Sequence, residues 1–577
     1  MIILGLATMT ESSAALLIDG KCAACVEEER FTRIKHSGGF PFRSIAAVLA
    51  QSSLSLADVD AVAVYWDPYR LAFRARYLIE TFFYNPKLFC EKIQRAFCVW
   101  HGAAGTDSGW ADMFKTAKYL QRSGACAAPI RFLDHHECHI AGSFFISPFE
   151  RAAVLIMDGA GEEACTTWAR GDGVSFSKLD EHRLPHSLGH YYAAVTGYLG
   201  FKMLDGEYKL MGLSPYGDPS GAQWIRKNFL LDRGNGRYAL RTEVLDFHRA
   251  LRGRFAGAFA DYFGEPRPRS DTAEFNDRHR DIAASAQRAF EEVVLAMAGE
   301  MRRCTGEKKL CIAGGCGLNC TANGKILTAG VADEIFVPPA PHDSGAALGA
   351  AVLLYSRLTG KRPEPMVHAQ YGPQFENGAL TEALAQFKGL EAEQLDEEEL
   401  LARCVETLVS QGVIAWFQGR MEFGPRALGN RSFLADPRRD DIRDVINEKI
   451  KKRELFRPFA PSVKAEKAAE YFELHQSSPF MTIIVPVRAE KRAVIPAVTH
   501  VDGTARPQTV EQKDNPRYWK LLDRFEARTG VPVLLNTSFN IQEPIVCAPK
   551  DALATFERSG VDALALGDYW VRRRSRC

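Results

Sequence analysis

The sequence predicts an α/β protein with two similar halves followed by a further α/β region, and three observations carry that expectation. A strand-rich start at residues 2–8, 14–19 and 22–28 is repeated at residues 153–157 and 164–169, where the strands flank the loop Asp158-Gly-Ala-Gly-Glu162. Each start leads into helical segments that alternate with short apolar strands, the pattern of layered α/β folds. Beyond residue 413 the alternation resumes, with apolar runs at 413–417, 480–487 and 531–536 that predict strands. Duplicated α/β halves place a cleft between them, the usual location of a ligand site.

Taken in order, the first half ends in a segment that breaks the rhythm. Residues 66–120 are dense in Arg, Phe, Tyr and Trp, and Tyr69, Phe73, Tyr77 and Phe82 recur at helical spacing, which predicts an inserted helical subdomain. In the second half residues 281–303 read as a long helix. Strand 309–313 then runs into Gly314-Gly-Cys-Gly-Leu-Asn319, and strand 334–337 into a proline-rich turn ending at Asp343. The polar, breaker-rich stretch 356–368, with Lys361-Arg-Pro-Glu-Pro365, marks a boundary between a domain at 1–357 and another at 369–577. The closing Arg572-Arg-Arg-Ser-Arg576 run is expected to be a solvated tail.

Composition removes several classes of function. The 577 residues carry Lys+Arg 72 against Asp+Glu 71, a net charge of +1, so no global basic field favours a nucleic-acid backbone. Apolar runs fall well short of the roughly 20 residues of a membrane-spanning helix. The start Met1-Ile-Ile-Leu has no basic secretory n-region, so a cytoplasmic protein with its 14 cysteines reduced is expected. Cys22 and Cys25 mimic a metal-binding pair, but in a strand they point to opposite faces.

Chemistry concentrates in a few segments. In Asp134-His-His-Glu-Cys-His139 the spacing puts His135 and His139 on one helix face, where two imidazoles can share a cation. Asp158 and Asp343, at two strand ends, are further oxygen donors, and such a set suits iron, manganese, zinc or magnesium. The turn Gly314, Gly315 to Asn319 opens a helix and can offer backbone amides to a phosphate. It is not a dinucleotide fingerprint, because Cys320 stands where the third glycine belongs. In the second domain, Glu422-Phe-Gly-Pro-Arg426-Ala-Leu-Gly-Asn-Arg-Ser432, the 450–461 segment with Lys451, Arg453 and Arg457, the 500–508 segment with Arg506, and Asn536-Thr-Ser538-Phe-Asn540 mix cations and neutral donors with glycine, proline and aromatics. Guanidinium forks fixed among such residues suit a small phosphorylated substrate.

Together with Val26-Glu-Glu-Glu-Arg-Phe-Thr-Arg-Ile-Lys-His36 and Gly206-Glu207-Tyr-Lys209-Leu-Met-Gly-Leu-Ser-Pro-Tyr-Gly217, these segments resemble, over nearly the whole chain, the O-carbamoyltransferase family of the tobramycin, cephamycin and nodulation-factor carbamoyltransferases. The resemblance implies a duplicated actin-like (ASKHA, RNase H-like) N-terminal domain and a C-terminal YrdC-like α/β domain. It implies that carbamoyl phosphate and ATP give carbamoyl-adenylate, whose carbamoyl group passes to the hydroxyl of a small-molecule acceptor in natural-product biosynthesis. Lys451, Arg506 and Ser538 would hold carbamoyl phosphate, supported by Arg426, Arg453 and Arg457. Adenylate would lie across Gly314, Gly315 and Asn319, with Glu207 and Lys209 nearby. Fe(II) is the ion expected on His135, His139, Asp158 and Asp343, with Mg a further ion for ATP. A homodimer is compatible with the sequence. One departure stands out: the family's N-terminal histidine base aligns with Thr10, and the neighbouring Glu11 is expected to substitute for it. The alternatives are carbamoylation of a nucleic-acid base or tRNA, and a nucleotide-binding homologue that has lost catalysis.

Overall fold

The computed structural model describes residues 1–87, 89–90, 93, 110–242, 257–269 and 274–574. The chain forms two compact units. The first comprises Met1–Ala23, His36–Leu49 and Ser53–Met366; the second comprises Ala24–Lys35, Ala50–Ser52 and the chain from Val367 onward. The sequence reading assigned residues 1–357 to one domain; the structure groups Ala24–Lys35 and Ala50–Ser52 with the second unit.

The first unit holds two five-stranded sheets of matching topology. In one, strands β1 (Ile2–Ala7), β2 (Ser13–Ile18), β3 (Lys21–Glu27), β4 (Ala61–Val64) and β5 (Ile130–Phe132) lie in the order 3-2-1-4-5. The other uses β6 (Arg151–Met157), β7 (Ala164–Asp172), β8 (Ser175–Arg183), β11 (Lys309–Ala313) and β12 (Glu334–Phe336), with the small hairpin β9 (Leu230–Asp232) and β10 (Tyr238–Leu240) inserted between β8 and β11. There the order is 12-11-6-7-8. In each, the first strand pairs antiparallel with the second and parallel with the fourth, Ile3 opposite Leu17 and Ala61, Leu155 opposite Trp168 and Ile312. That repetition is the duplicated α/β arrangement which the recurring starts predict, and it agrees with the actin-like fold that the family resemblance implies. The buried runs of β1 and β6 explain it locally, since strands covered on both faces are apolar throughout.

Five helices position the site. They are α1 (His135–Phe144), α2 (Glu207–Leu213), α3 (Asp277–Thr305), α4 (Cys320–Thr328) and α5 (Asp343–Thr359). Asp134 caps α1 by accepting the Glu137 N–H at 2.9 Å, and Asn276 caps α3. Helices α1 and α5 pack glycine against glycine: a Cβ on Gly142 would stand 3.0 Å from Gly349 Cα. The mid-helix glycines therefore let two backbones approach where larger side chains would part them.

The second unit is built on one mixed eight-stranded sheet. Its strands are β13 (Leu390–Gln394), β14 (Ile414–Phe417), β15 (Arg431–Ala435), β16 (Ala460–Lys464), β19 (Gln508–Val510), β20 (Val533–Ser538), β21 (Ala563–Leu566) and β22 (Tyr569–Arg573), in the order 13-22-21-14-15-20-16-19. A two-stranded ribbon, β17 (Val485–Pro486) with β18 (Thr504–Ala505), lies apart from it.

Two expectations need correction. The run at 480–487 contributes only β17 to any sheet: Phe480, Met481, Ile483, Val485 and Val487 are buried, but Met481 sits at φ +55° and the segment follows an irregular path. Burial made it apolar without ladder pairing. Nor is the C-terminal arginine run simply a solvated tail, because Arg572 and Arg573 belong to β22, and Arg573 donates to the carbonyls of Val561, Phe556 and Ser559. The helical insertion at 66–120 is described in part, with a helix over Leu71–Tyr84; residues 88, 91–92 and 94–109 lie outside the described residues, as do the side chains of Phe73 and Tyr77. Among the described residues, no helix is long and apolar enough to cross a membrane.

Candidate functional site

In the first unit, His135 and His139 leave one face of α1, Asp158 leaves the end of β6, and Asp343 opens α5. Their ligand atoms lie within 4.8 Å of one another. His135 Nε2 is 3.1 Å from Asp158 Oδ2, 3.1 Å from His139 Nε2 and 3.6 Å from Asp343 Oδ1. Burial opposes a charged His135, but the Asp343 and Asp158 carboxylates outweigh it and push its pKa up to about 9. Asp158 moves the opposite way: its hydrogen bond to His135 and the nearby histidine charges hold it well below the usual carboxylate range despite burial. The donor set fits a divalent cation. Two imidazole nitrogens facing each other at 3.1 Å are awkward for protons and natural for a shared ion, and two carboxylate oxygens complete the shell. His136, between them in sequence, turns toward β7 and meets Thr167 Oγ1 at 2.7 Å; burial pushes its pKa down to about 3.

The surroundings contain Thr10 and Glu11, which the sequence reading named, Glu162 and His36, which end motifs quoted there, and Asp67 and Asp205, which it did not single out. Thr10 donates from Oγ1 to Asp343 Oδ2 at 2.7 Å, leaving Oδ1 toward the histidines. The buried Glu162 carboxylate accepts the N–H groups of Asp67 and His135, holding the start of α1. Glu11 meets His36, which also meets Asp205. Asp67 and Asp205 lie outside every quoted motif.

The glycine turn lies beside the cluster. Gly314 adopts φ +84°, and a Cβ there would fall 2.2 Å from the Met157 carbonyl, so the turn requires glycine. Gly315 donates its N–H to Asp158 Oδ1 at 3.0 Å. Asn319 caps α4 by accepting the Ala322 N–H, and its amide is paired with Gln287, itself bonded to Glu291 on α3. Asn319 thus organises the turn. Glu207 Oε1 accepts the Leu204 N–H at 2.7 Å, burial raising its pKa, and Lys209 lies 5.7 Å from the Phe201 ring centre.

In the second unit, a π-helical turn at Ile446–Ile450 delivers Lys451, whose N–H bonds five residues back to the Ile446 carbonyl. The side chain is 1% exposed, and Nζ donates to Asn540 O and Oδ1, both at 2.8 Å, to Ser538 Oγ at 3.3 Å and to the Ser538 carbonyl. Burial, then the charges of Arg453, Arg457 and Lys35, drive its pKa well below that of an ordinary lysine. Arg453 is fixed by Asn447 Oδ1 at 2.7 Å and lies over Phe459. Arg506 lies near His500, whose pKa burial lowers to about 4. Lys451 and Ser538 are therefore in contact and Arg453 and Arg457 act on them, while Arg426 stands half-buried in the turn before β15. That turn is a corrected case: Glu422 accepts three backbone N–H groups, and the fully buried Arg431 donates to the carbonyls of Gln418, Asn430, Pro373 and Gly419 over the Phe417 ring. Both are structural: their hydrogen bonds go to the backbone, and the Glu422 carboxylate is the countercharge of Arg431.

Two family models cover most of the chain, Carbamoyltransferase N-terminus over residues 2–352 and Carbamoyltransferase C-terminus over residues 405–573. The chain belongs to the carbamoyltransferase family. This carbamoyltransferase is 40% identical over 603 residues to an uncharacterized protein of Synechocystis, covering 98% of this chain and 95% of that one. It is 39% identical over 580 residues to nodulation protein NolNO of Sinorhizobium fredii, covering 98% of this chain and 79% of the relative. Over 265 residues it is 38% identical to the 3'-hydroxymethylcephem-O-carbamoyltransferase of Amycolatopsis lactamdurans, covering 46% and 49% respectively. Membership makes it an enzyme.

Proposed function

We propose that this carbamoyltransferase converts carbamoyl phosphate and ATP to carbamoyl-adenylate and transfers the carbamoyl group to a hydroxyl of a small-molecule acceptor in natural-product biosynthesis. The observation that carries the reading is Lys451, a fully buried amine whose charge is disfavoured by burial and by neighbouring cations until an anion arrives. A compact dianion supplies that charge. Lys451, Arg506 and Ser538 bind it, with Arg426, Arg453 and Arg457 as longer-range support. Hydrogen bonds from Lys451 to Asn540 and Ser538 hold the ammonium in place, so no reorganisation is needed as the phosphoryl oxygens take up charge.

The N-terminal part, residues 1–357, then uses the adenylate, and residues 369–577 form it. In this reading the adenylate phosphate lies across the turn of Gly314, Gly315 and Asn319, with Glu207 and Lys209 nearby; the three backbone N–H groups donate to Pro341 O, Asp158 Oδ1 and Cys316 O, so the glycines serve by allowing close approach. His135, His139, Asp158 and Asp343 hold a divalent cation, Fe(II) in our reading, with Mg accompanying ATP. When bound, that ion polarises a phosphate or carbonyl oxygen. Glu11 takes the proton of the acceptor hydroxyl. The full chain, incubated with ATP and carbamoyl phosphate and no acceptor, is expected to release pyrophosphate; mass spectrometry of candidate alcohols then identifies the acceptor. Absence of carbamoyl-phosphate-dependent pyrophosphate release would defeat the reading.

A further inference from the structure

Thr10 leaves the first unit without a histidine where the family resemblance expects the proton acceptor, and a different assembly occupies the vicinity. Glu11 lies between β1 and β2, His36 follows β3, and Asp205 precedes α2. His36 Nδ1 is 2.7 Å from Glu11 Oε1, and His36 Nε2 is 3.0 Å from Asp205 Oδ1. Both ring nitrogens face carboxylates, which requires a proton on each. Burial opposes the imidazolium, but the bonds to Asp205 and Glu11 outweigh it and raise the His36 pKa to about 10. At neutral pH His36 is therefore a fixed cation and is unsuited to accept a proton itself.

The backbone supplies a second, independent observation. Glu11 adopts φ +50°, His36 φ +54°, and Leu204, immediately before Asp205, φ +62°. Left-handed backbone costs a non-glycine residue about 1–2 kcal/mol, whereas an ion pair at a surface contributes about 0–1 kcal/mol. Glu11 and His36 carry that cost themselves and Leu204 carries it in the loop that presents Asp205, and strain of this kind collects at functional sites. The location agrees. Thr10, next to Glu11, bonds Asp343, and Glu11 Oε2 is 3.6 Å from His342 Nε2, so the carboxylate stands at the rim of the metal cluster with its side chain 24% exposed. On the far side, Glu207 accepts the Leu204 N–H, tying the Asp205 loop to α2.

We infer that His36 is a positioning residue for proton transfer from the acceptor: anchored by Asp205, it fixes the Glu11 carboxylate between Thr10, which bonds Asp343, and His342. This rests on the carbamoyl-transfer reading above. In the step, the acceptor O–H proton passes to Glu11 while the acceptor oxygen bonds to the carbamoyl carbon. The bond from that carbon to the adenylate phosphate oxygen breaks, and its electron pair leaves with AMP. His36 keeps both protons throughout. Among the described residues, the charged and titratable groups facing the assembly include His342 and Tyr65 toward Glu11, and Lys202 and Glu207 toward Asp205.

The test uses the full chain carrying His36→Gln and, separately, Asp205→Asn. Pyrophosphate release without acceptor reports the first step, and carbamate formation reports the second. In His36→Gln, carbamate formation is expected to fall about 10–100-fold, within the range of general-base help, with pyrophosphate release retained. Its acidic limb is expected to move up by about one pH unit, because an adjacent opposite charge favours a carboxylate by roughly 1–3 units. Unchanged transfer with an unmoved limb, or equal loss of both steps in a folded variant, would overturn the inference. Nuclear magnetic resonance of the His36 ring provides a readout without turnover: it is expected protonated at pH 8 in the parent and shifted toward ordinary titration in Asp205→Asn. A ring that titrates normally in the parent overturns the inference even if the protein transfers carbamoyl groups. Loss of pyrophosphate release in the parent instead removes the reading on which it rests.

Discussion

Replacing Gly349 by alanine tests how the metal donors are held. Gly349 lies on α5, six residues after Asp343, and a methyl group built there falls 2.1 Å from the carbonyl oxygen of Cys138, which lies between His135 and His139 on α1. Carbon and carbonyl oxygen in contact need about 3.3–3.6 Å, so the two helices must part by more than about 1 Å. The listening post is the ligand set, because α1 supplies the histidines and α5 supplies Asp343, whereas metal distances tolerate only about 0.2 Å. Overpacking of this kind costs roughly 1–3 kcal/mol, so the variant is expected to fold with a lowered melting temperature. Its affinity for Fe(II) or Zn(II), measured by chelator competition, is expected to fall about 10–100-fold, as for lost support around metal ligands. Gly299→Ala on α3 is the control, since nothing lies within 4 Å of a methyl there. A folded Gly349→Ala protein that binds metal as tightly as the parent would refute the reasoning that glycine-on-glycine packing sets the cluster.

The remaining expectations concern the second unit. Lys451→Met is expected to lower pyrophosphate release about 10²–10³-fold, the scale of losing one preorganised donor, while thermal stability holds or rises because a buried amine gives way to an apolar chain. Folding depresses the Lys451 pKa, so the unfolded chain binds more protons below the usual lysine value, and stability should rise with pH through that window; in Lys451→Met the dependence should flatten. By the same linkage, carbamoyl phosphate binding should take up a proton in the window between the lowered Lys451 pKa and the ordinary lysine value, read by calorimetry in buffers of different ionisation heat. Glu422→Gln weakens an acceptor for the Leu428, Asn430 and Arg431 N–H groups and is expected to cost about 1–3 kcal/mol in denaturant unfolding.

Legibility in the sequence followed periodicity. Strand Lys309–Ala313 and the core of helix Asp277–Thr305 were readable because apolar spacing, caps and glycine stops agree there. Strand Ser175–Arg183 went unread, since it alternates exposed and half-buried residues with charges and has no apolar signature. The clustering of His135, His139, Asp158 and Asp343 was legible in part because i and i+4 on a helix fix a common face and strand ends are where loops gather. By contrast, the contacts Thr10 to Asp343 and His36 to Asp205 join residues 333 and 169 positions apart, and no local pattern encodes such pairs. Arginines misled for a similar reason: composition records a guanidinium but not its direction, and Arg431 points at four carbonyls.

Asp158 shows why the duplicated fold suits this chemistry. Its two oxygens serve different neighbours, Oδ2 facing His135 and Oδ1 accepting the Gly315 N–H of the glycine turn. The carboxylate stands at the end of β6, which pairs with β11, and β11 runs directly into that turn. One short side chain can therefore bridge the histidine helix and the glycine turn only because two parallel strands end side by side. In that register any change in the charge or position of Asp158 reaches both the His135 ring and the Gly315 N–H, so the proposed cation and nucleotide sites share a single carboxylate and not a long relay.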